Sequence, residues 1–252
     1  MTNMEWYYIV LIIIAAIVVW IMLSALFYKQ FFKRFYDIVL SLLALIVLSP
    51  VLLILTILGA VKMKGNPFFT QLRPGKNEKI FKLIKFRTMT SEKDKDGNLL
   101  PDEKRLTKYG KILRSTSLDE LPELINILKG DMTVIGPRPQ LVRDMVFMTP
   151  AQRQRHTVRP GLSGLAQVNG RNFITWEDKL SWDLKYIEKI TFIGDVSLIL
   201  QTIGKVFKRA DINREGTASD MDFGDYLLAK GGVSKEEYDR KQAEAKKLLK
   251  RG

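Results

Sequence analysis

The chain has 252 residues, enough for one catalytic domain together with membrane segments. It contains no cysteine and a single histidine, His156, which excludes disulfides, thiolate zinc sites and metal centres built from several histidines. All 40 basic residues lie at or after Lys29, and only Glu5 among the 27 acidic residues lies before it, so the part from Lys29 onward carries a net charge of +14. Such a surface attracts polyanions, which include nucleic acid, anionic lipid and phosphorylated substrates.

The first apolar segment, 6–27, has no charged residue and only one polar side chain, Ser24. At about 1.5 Å per residue it would span roughly 30 Å, the thickness of a bilayer core. The basic start and small-residue cleavage site of a signal peptide are missing. We therefore predict a retained transmembrane helix over 1–28. Because Lys29, Lys33 and Arg34 follow it, the positive-inside rule places them in the cytoplasm.

A second uncharged run, 38–61, is also long enough to span, but Lys62 and Lys64 directly after it argue against a crossing. Ser49-Pro50 lies near its middle, where proline kinks a helix and serine can satisfy the freed backbone groups. These features favour a re-entrant membrane helix over 29–62, broken at Ser49-Pro50, that enters and leaves on one face. The alternative is an ordinary spanning helix with a proline kink.

From residue 63 to 215 the composition is that of a globular domain. Residues 80–89 are typical of a strand, and 117–128, 177–190 and 195–209 show features of helices. The apolar face of 195–209 fits a helix on a membrane surface and equally well a helix packed on the core. Residues 216–252 are polar, and Ser234 with Glu237 forms a capping box, so we expect a solvated tail with a charged helix. The predicted fold class is α+β, a helix-rich cytoplasmic catalytic domain with the two membrane segments.

The first candidate for chemistry is the pair of adjacent carboxylates Asp119 and Glu120. Such a pair can supply a nucleophile and a proton-handling partner, or bind a divalent metal ion. The alternative is a capping box between Ser117 and Glu120 at a helix start. Pro122 weakens that alternative, because it would fall inside the first turns of the capped helix.

The second candidate is Gly136-Pro137-Arg138-Pro139, where two prolines fix the backbone around one arginine. A preset guanidinium is a good fork for a phosphate group, although a rigid turn with an exposed arginine explains the motif equally well. Further arginines lie beside turns or strands, and most of them are expected to be only solvated. These are Arg73, Arg87, Arg114, Arg143, Arg159 and Arg171.

Taken together, these motifs resemble those of the monotopic phosphoglycosyl transferases, a family of bacterial sugar transferases. The resemblance runs from Lys33-Arg34 to about Asp195, most of the chain. It is carried in order by Ser49-Pro50, Lys85-Phe86-Arg87-Thr88-Met89, Arg114-Ser115, Asp119-Glu120-Leu121-Pro122, Gly136-Pro137-Arg138-Pro139, and Arg159-Pro160-Gly161 through Asn169-Gly170-Arg171. The helix over 6–27 is an addition relative to the shortest members.

The resemblance implies that Asp119 attacks the β-phosphate of a UDP-sugar and releases UMP, with Mg²⁺ near Asp119 and Glu120 assisting proton transfer. It implies substrate contacts for a further set of residues, of which Asp195 has the least certain role. These are Arg87, Arg114, Pro137, Arg138, Pro139, Arg171 and Asp195. It also assigns Lys33, Arg34, Ser49 and Pro50 to the re-entrant membrane segment.

The expected partners are a UDP-sugar, a polyprenyl phosphate lipid such as undecaprenyl phosphate, and the bacterial inner membrane, with the catalytic domain facing the cytoplasm. Nucleic acid is not an expected partner, and a homodimer stays open. Two other functions remain to be separated from this one. A membrane-anchored basic binding protein would have no turnover, and an enzyme that forms a glycosidic bond directly would release UDP. The residues do not identify the sugar or the glycan pathway.

Overall fold

A computed structural model describes residues 3–170, 174–208 and 221–251. It contains twelve α-helices within these ranges, four short strands, a π-helical turn at Tyr28–Phe32 and three 3₁₀ turns at Lys76–Glu78, Leu118–Glu120 and Gln154–Thr157. The strands are β1 (Phe68–Pro74), β2 (Ile80–Phe86), β3 (Thr133–Ile135) and β4 (Gly161–Ser163). The helices are α1 (Asn3–Leu26), α2 (Lys33–Lys62), α3 (Asp102–Arg105), α4 (Lys108–Thr116), α5 (Glu123–Lys129), α6 (Val142–Met145), α7 (Pro150–Arg153), α8 (Leu165–Val168), α9 (Trp176–Glu188), α10 (Phe192–Lys208), α11 (Phe223–Ala229) and α12 (Lys235–Arg251).

Two N-terminal helices are long and apolar enough to cross a membrane, over Trp6–Leu26 and Tyr28–Lys62. The chain bends sharply between them. Trp20 Nε1 donates to the hydroxyl of Tyr36 at 3.1 Å, and the rings of Trp20 and Phe32 meet edge to face with centroids 5.0 Å apart. A straight helix would hold residues 20 and 36 about 24 Å apart. The π-helical turn at Tyr28–Phe32 lies between the helices, so α1 leaves α2 at its first turns.

Helix α2 packs on the globular domain near both of its ends. In its first turns the carboxylate of Asp37 accepts hydrogen bonds from Thr133 Oγ1 at 2.7 and 2.8 Å. In its last turns the carbonyl of Leu55 accepts from the hydroxyl of Tyr109 at 2.9 Å, and Gly59 lies against Pro67. Between these contacts Ser41 is buried, and Ala44, Leu45 and Leu52 pack against apolar clusters of the domain. The side chains on the other side of the helix are exposed and apolar, with Val47 exposed by 73 %. Contacts with the domain near both ends of α2 are compatible with re-entry, which stays a prediction.

Helical structure continues through Ser49-Pro50, so the expected break does not appear as a gap between two helices. Proline cannot donate to the carbonyl four residues earlier, which here belongs to Ile46. The hydroxyl of Ser49 donates to that carbonyl at 2.8 Å. The expectation that serine satisfies the backbone group freed by proline is therefore confirmed.

The domain contains two small sheets. Strands β1 and β2 form an antiparallel hairpin in which Phe68 faces Phe86 and Pro74 faces Ile80, which confirms the predicted strand. Strands β3 and β4 pair in parallel. Helix α5 covers one face of β2, where Phe81 and Leu83 pack with Leu124 and Ile127. The two sheets and α5 therefore hold the loops that carry the candidate residues.

The segment predicted as a solvated polar tail packs on the domain over its described residues, 221–251. Phe223 and Ala245 belong to a buried apolar cluster with Phe147 and Trp176. The prediction of a solvated tail is wrong because a few apolar residues, spaced to lie on one side of α11 and α12, are enough to dock them. The cap itself is confirmed, since the backbone N–H of Glu237 donates to the Ser234 hydroxyl at 3.1 Å.

Candidate active site

Asp119 and Glu120 lie on a 3₁₀ turn between α4 and α5. The turn is set by Ser117, whose backbone is left-handed with a φ of 57°, so the chain reverses directly after α4. The side chain of Ser117 does not cap the turn, so the capping box that competed with a catalytic role does not form. Pro122 precedes α5, which begins at Glu123 and thus keeps the proline out of the helix interior.

Four charged groups meet beside this turn. Glu120 Oε1 accepts from Lys85 Nζ and from Arg138 Nη2, each at 2.8 Å. Lys85 Nζ also lies 3.0 Å from Glu123 Oε1, and the Glu123 side chain is only 4 % exposed. Lys85 comes from β2, Glu120 and Glu123 from the turn and α5, and Arg138 from the loop after β3. Three separate parts of the chain thus build one charged cluster.

The surroundings of the cluster shift the pKa values of its carboxyl groups and of Asp119 in different directions. Burial alone would raise the pKa of Glu120, but Arg138 and Lys85 outweigh it and hold that pKa far below its ordinary value. Burial raises the pKa of Glu123 to about 7, with Glu120 adding to the effect and Lys85 opposing it. Burial, together with the neighbouring charge of Glu120, also raises the pKa of Asp119. Glu120 is therefore a fixed anion, while Asp119 and Glu123 hold protons more readily.

Asp119 lies beside this cluster, and its carboxylate is free to bind a ligand. Its carboxylate is half-buried and makes no hydrogen bond or salt bridge with the described residues. Lys85, Arg114 and Arg138 all act on its charge, which places three cations around it. A half-buried carboxylate among cations, unpaired within the described part of the chain, is suited to meet a phosphorylated substrate.

The position of Arg138 is fixed through its backbone. Gly136 donates its N–H to Ser163 at 2.8 Å, and Gly161 donates to Pro137 at 2.9 Å, so the loop is an extension of the β3–β4 pair. Two further arginines hold the loop carbonyls: Arg155 donates to Arg138 at 2.5 Å and Arg73 donates to Pro139 at 3.0 Å. The two interpretations of this motif, a rigid turn and a phosphate-binding arginine, are therefore compatible, because the rigid turn holds the Arg138 side chain in place.

Comparison with known proteins decides which family this site belongs to. A model of the bacterial sugar transferases matches residues 28–209, well over half of the chain. The chain belongs to the bacterial sugar transferase family. This makes it an enzyme of the transferase class, and a purely structural binding protein is ruled out.

Three relatives support the assignment. The transferase is 45 % identical over 174 residues to an uncharacterized sugar transferase, EpsL, of Bacillus subtilis, covering 69 % of this chain and 86 % of that protein. It is 35 % identical over 193 residues to the exopolysaccharide production protein ExoY of Sinorhizobium fredii, covering 69 % and 84 %. It is 40 % identical over 186 residues to a UDP-glucose:undecaprenyl-phosphate glucose-1-phosphate transferase of Klebsiella pneumoniae, covering 70 % of this chain and 40 % of that longer protein.

The other residues of the transferase that were predicted to contact substrate lie in different parts of the domain. Arg114 lies on α4 near Asp119 and its Nε donates to Thr88 Oγ1 at 3.1 Å, while Arg87 follows the end of β2. Pro137 and Pro139 are buried on either side of Arg138. Arg171 lies outside the described residues. The expectation that most of the arginines beside turns are only solvated does not hold, because protein groups bind Arg73, Arg143 and Arg159.

Asp195 belongs to a separate buried network. Its carboxylate accepts from Lys33 Nζ at 2.5 Å, from Tyr28 at 2.7 Å and from Tyr186 at 2.9 Å. Lys33 and Tyr186 also donate to the carbonyl of Ile135, at the end of β3. These contacts give Asp195 a structural task at the base of the membrane helix. A contact with substrate stays a prediction for this residue.

Two side chains in the first turn of α2 form hydrogen bonds with α5 and with the end of β3, next to the candidate active site. Arg34 donates to the carbonyls of Ile127 at 2.6 Å and Leu128 at 3.0 Å, at the end of α5. Lys33 holds the end of β3, directly before Gly136. The membrane segment is therefore attached to two of the three parts that carry the charged cluster, α5 and the end of β3.

Sequence reasoning named Lys85 and Glu123 only within longer motifs and gave neither a role in the site. A signal for Lys85 exists in the strand, because Phe81, Leu83 and Lys85 alternate onto one face and two of the three are buried apolar residues. A lysine on a buried face predicts a neighbouring carboxylate, because a buried charge is costly unless it is paired. No comparable signal marks the buried Arg155–Asp183 ion pair, which supports the Arg138 loop.

Proposed function

We propose that this transferase moves a sugar-1-phosphate from a UDP-sugar to a polyprenyl phosphate, through a covalent intermediate on Asp119. The observation that carries the proposal is the available, half-buried carboxylate of Asp119 among Lys85, Arg114 and Arg138. The name of the Klebsiella relative, which describes transfer of glucose 1-phosphate from UDP-glucose to undecaprenyl phosphate, supports the same reaction class.

In the first step an Asp119 oxygen attacks the β-phosphorus of the UDP-sugar. A bond forms between that oxygen and the β-phosphorus, the bond from the β-phosphorus to the bridging oxygen breaks, and UMP leaves with the electron pair. Negative charge develops on the bridging and terminal oxygens during this step. Arg138 and Arg114 are placed to stabilise that charge, because arginine and lysine clamps act on transferring phosphoryl groups in this way.

In the second step a phosphate oxygen of the lipid attacks the same phosphorus and Asp119 leaves as a carboxylate. Glu120 enters this step ionised because Lys85 and Arg138 hold it. Its first task is therefore to position those two cations. Both cations bind Oε1, so Oε2 is the atom that would take part in the proposed proton transfer.

The donor set around Asp119 is compatible with Mg²⁺. No group of three or more acids and histidines within the described residues could hold a metal by itself. Magnesium in phosphoryl-transfer sites binds one or two carboxylates and completes its shell with substrate phosphates and water. Asp119 would be that ligand here, and a bound Mg²⁺ would neutralise part of the diphosphate charge.

The membrane arrangement of α1 and α2 fits a reaction between a soluble and a lipid substrate. If the N-terminus lies outside, the basic domain lies on the cytoplasmic face of the bacterial inner membrane, where nucleotide sugars are made. Helix α10 supports contact with this surface, because one face carries exposed Ile193, Leu200 and Ile203 while Leu198 is buried in the domain. Core packing is thus present through Leu198, and contact of the exposed face with the membrane surface stays a prediction.

The deciding experiment measures nucleotide release by the full-length protein in nanodiscs with Mg²⁺, a UDP-sugar and undecaprenyl phosphate. We expect UMP as the product, and Asp119→Asn should lower its rate on the order of 10⁴-fold or more. Asp96→Asn, which alters an exposed acid in the loop before α3, is the matched control and should leave the rate unchanged. Release of UDP, or full UMP release by Asp119→Asn, would reject the proposal.

A further inference from the structure

The side chain of Arg87 differs from those of the nearby arginines in having no partner among the described residues. Ten arginines lie between Arg34 and Arg159. Nine of them donate to a carbonyl, a hydroxyl or a carboxylate of the protein, which leaves Arg87 alone. Within the described residues the half-buried guanidinium of Arg87 makes no hydrogen bond or ion pair. A half-buried cation that the fold leaves unmatched is available to an anion from outside the chain.

The strand aims Arg87 at the catalytic turn. Side chains two residues apart lie on the same face of a strand, so Phe81, Leu83 and Lys85 share a face of β2. Arg87 directly follows β2, and its backbone N–H still bonds across the hairpin to Pro67, so the same alternation extends to it. Along this face Phe81 and Leu83 pack with α5, and Lys85 then meets Glu123 and Glu120 at the start of that helix. The next position, about 7 Å further on, lies toward the residues that precede Glu120. The bond from Arg114 to Thr88 confirms that the chain after Arg87 passes the end of α4.

The same position adjoins the end of the membrane helix. The backbone N–H of Arg87 donates to the carbonyl of Pro67 at 2.7 Å, and Pro67 packs on Gly59 of α2. On the opposite face of β2, Phe86 packs with Leu55 of α2 and Leu113 of α4, and Leu118 and Leu121 lie against this cluster. Leu118 and Leu121 flank the two catalytic acids. Arg87 is thus held between the membrane helix and the reacting carboxylate.

We propose that Arg87 binds the phosphate of the lipid acceptor. The inference rests on the proposed function and assigns one of its substrates to one residue. A guanidinium presents a planar fork that binds two phosphate oxygens at once. Arg138 is already committed to Glu120 and Arg114 to Thr88, both around Asp119. Of these three arginines, Arg87 alone is bonded to the loop that leaves α2, the side from which a membrane lipid must approach.

The test separates the two phosphorylated substrates. Full-length Arg87→Gln, Arg87→Lys and Lys82→Gln are compared in nanodiscs; Lys82 is an exposed lysine on the opposite face of the same strand. For Arg87→Gln we expect the KM for undecaprenyl phosphate to rise roughly 10- to 100-fold, as for loss of a hydrogen bond to a charged group. Arg87→Lys should give a smaller rise, because the charge remains but the fork is lost, and Lys82→Gln should behave as wild type.

A second readout needs no lipid acceptor. With a UDP-sugar alone, wild type should release about one equivalent of UMP as the covalent intermediate forms, and Arg87→Gln should do the same, which also shows that it is folded. An unchanged KM for the lipid, or an equal rise in the KM for the UDP-sugar, would overturn the assignment; the latter outcome would place Arg87 at the diphosphate. If wild type forms no UMP even with the lipid, the proposed function fails instead.

Discussion

The hydroxyl of Ser49 donates to the carbonyl oxygen of Ile46 at 2.8 Å, inside an apolar stretch of α2. That carbonyl has lost its usual donor because residue 50 is proline. A backbone carbonyl without a partner is costly where no water is available. The pair therefore explains how α2 keeps its helical structure through a proline in the middle of a membrane segment.

We predict that Ser49→Ala destabilises the protein by about 1 kcal/mol, a typical value for a hydrogen bond within a membrane. Thermal unfolding in nanodiscs, followed by tryptophan fluorescence, measures the change. The double variant Ser49→Ala, Pro50→Ala should recover the loss, because the N–H of alanine can donate to Ile46. Equal losses in the single and double variants would show that Ser49 acts through some other contact.

The predicted re-entry of α2 can be tested by labelling, because the sequence contains no native cysteine. Single cysteines at Lys29, Lys62 and Asn98 should all lie on the cytoplasmic side, and one at Thr2 on the other. A membrane-impermeant maleimide added to intact cells should therefore label only the Thr2→Cys variant. Labelling of Lys62→Cys and Asn98→Cys in intact cells would instead show that α2 crosses the membrane.

Much of the site could be predicted from the sequence because its signals are local. Asp119 with Glu120, and Arg138 between two prolines, are short patterns whose chemistry is visible in neighbouring residues, and the structure brings Glu120 and Arg138 within 2.8 Å. The roles of Lys85 and Glu123 in the site could not be predicted, because they depend on contacts between residues 35 or more positions apart, which no periodicity in the sequence indicates. The packing of α11 and α12 on the domain was not predicted for a related reason. Their composition is polar, and only the packing of Phe223 and Ala245 shows that they belong to the domain.

Asp195 offers a test of structural against substrate-binding roles. Replacing one member of a buried ion pair leaves the other charge uncompensated, which costs on the order of 3 kcal/mol. We expect Asp195→Asn to lower the unfolding temperature by several degrees, and the double variant Asp195→Asn, Lys33→Met to lose less than the two single losses combined. Tyr186→Phe, which removes one of the hydroxyl donors to Asp195, should cost about 1 kcal/mol.

Kinetics of the same variants complete that test. If Asp195 acts only through the Lys33 network, Asp195→Asn assayed well below its unfolding temperature should keep the KM for the UDP-sugar within about threefold of wild type. A tenfold or larger rise in that KM, with stability unchanged, would instead support the contact with substrate that the resemblance implies.

Glu123 gives the stability of the protein a pH dependence. Its pKa in the folded protein is about 7, raised mainly by burial, whereas an unfolded chain ionises this group near pH 4.5. Between these values the unfolded chain has lost the proton that the folded chain still holds. The stability contributed by this group is thus present below pH 4.5 and is lost as pH rises through 7.

Glu123→Gln removes this titration while keeping the size of the side chain. The stability of the variant relative to wild type should therefore increase from pH 5 to pH 7 and level off above about pH 8, when unfolding is followed at each pH in the same nanodiscs. Glu103→Gln, at an exposed position of α3, is the control and should follow the wild-type curve. Parallel curves for Glu123→Gln and wild type would mean that Lys85 keeps Glu123 ionised throughout this range, because an anion fixed by Lys85 would titrate below pH 5 in the folded protein as well.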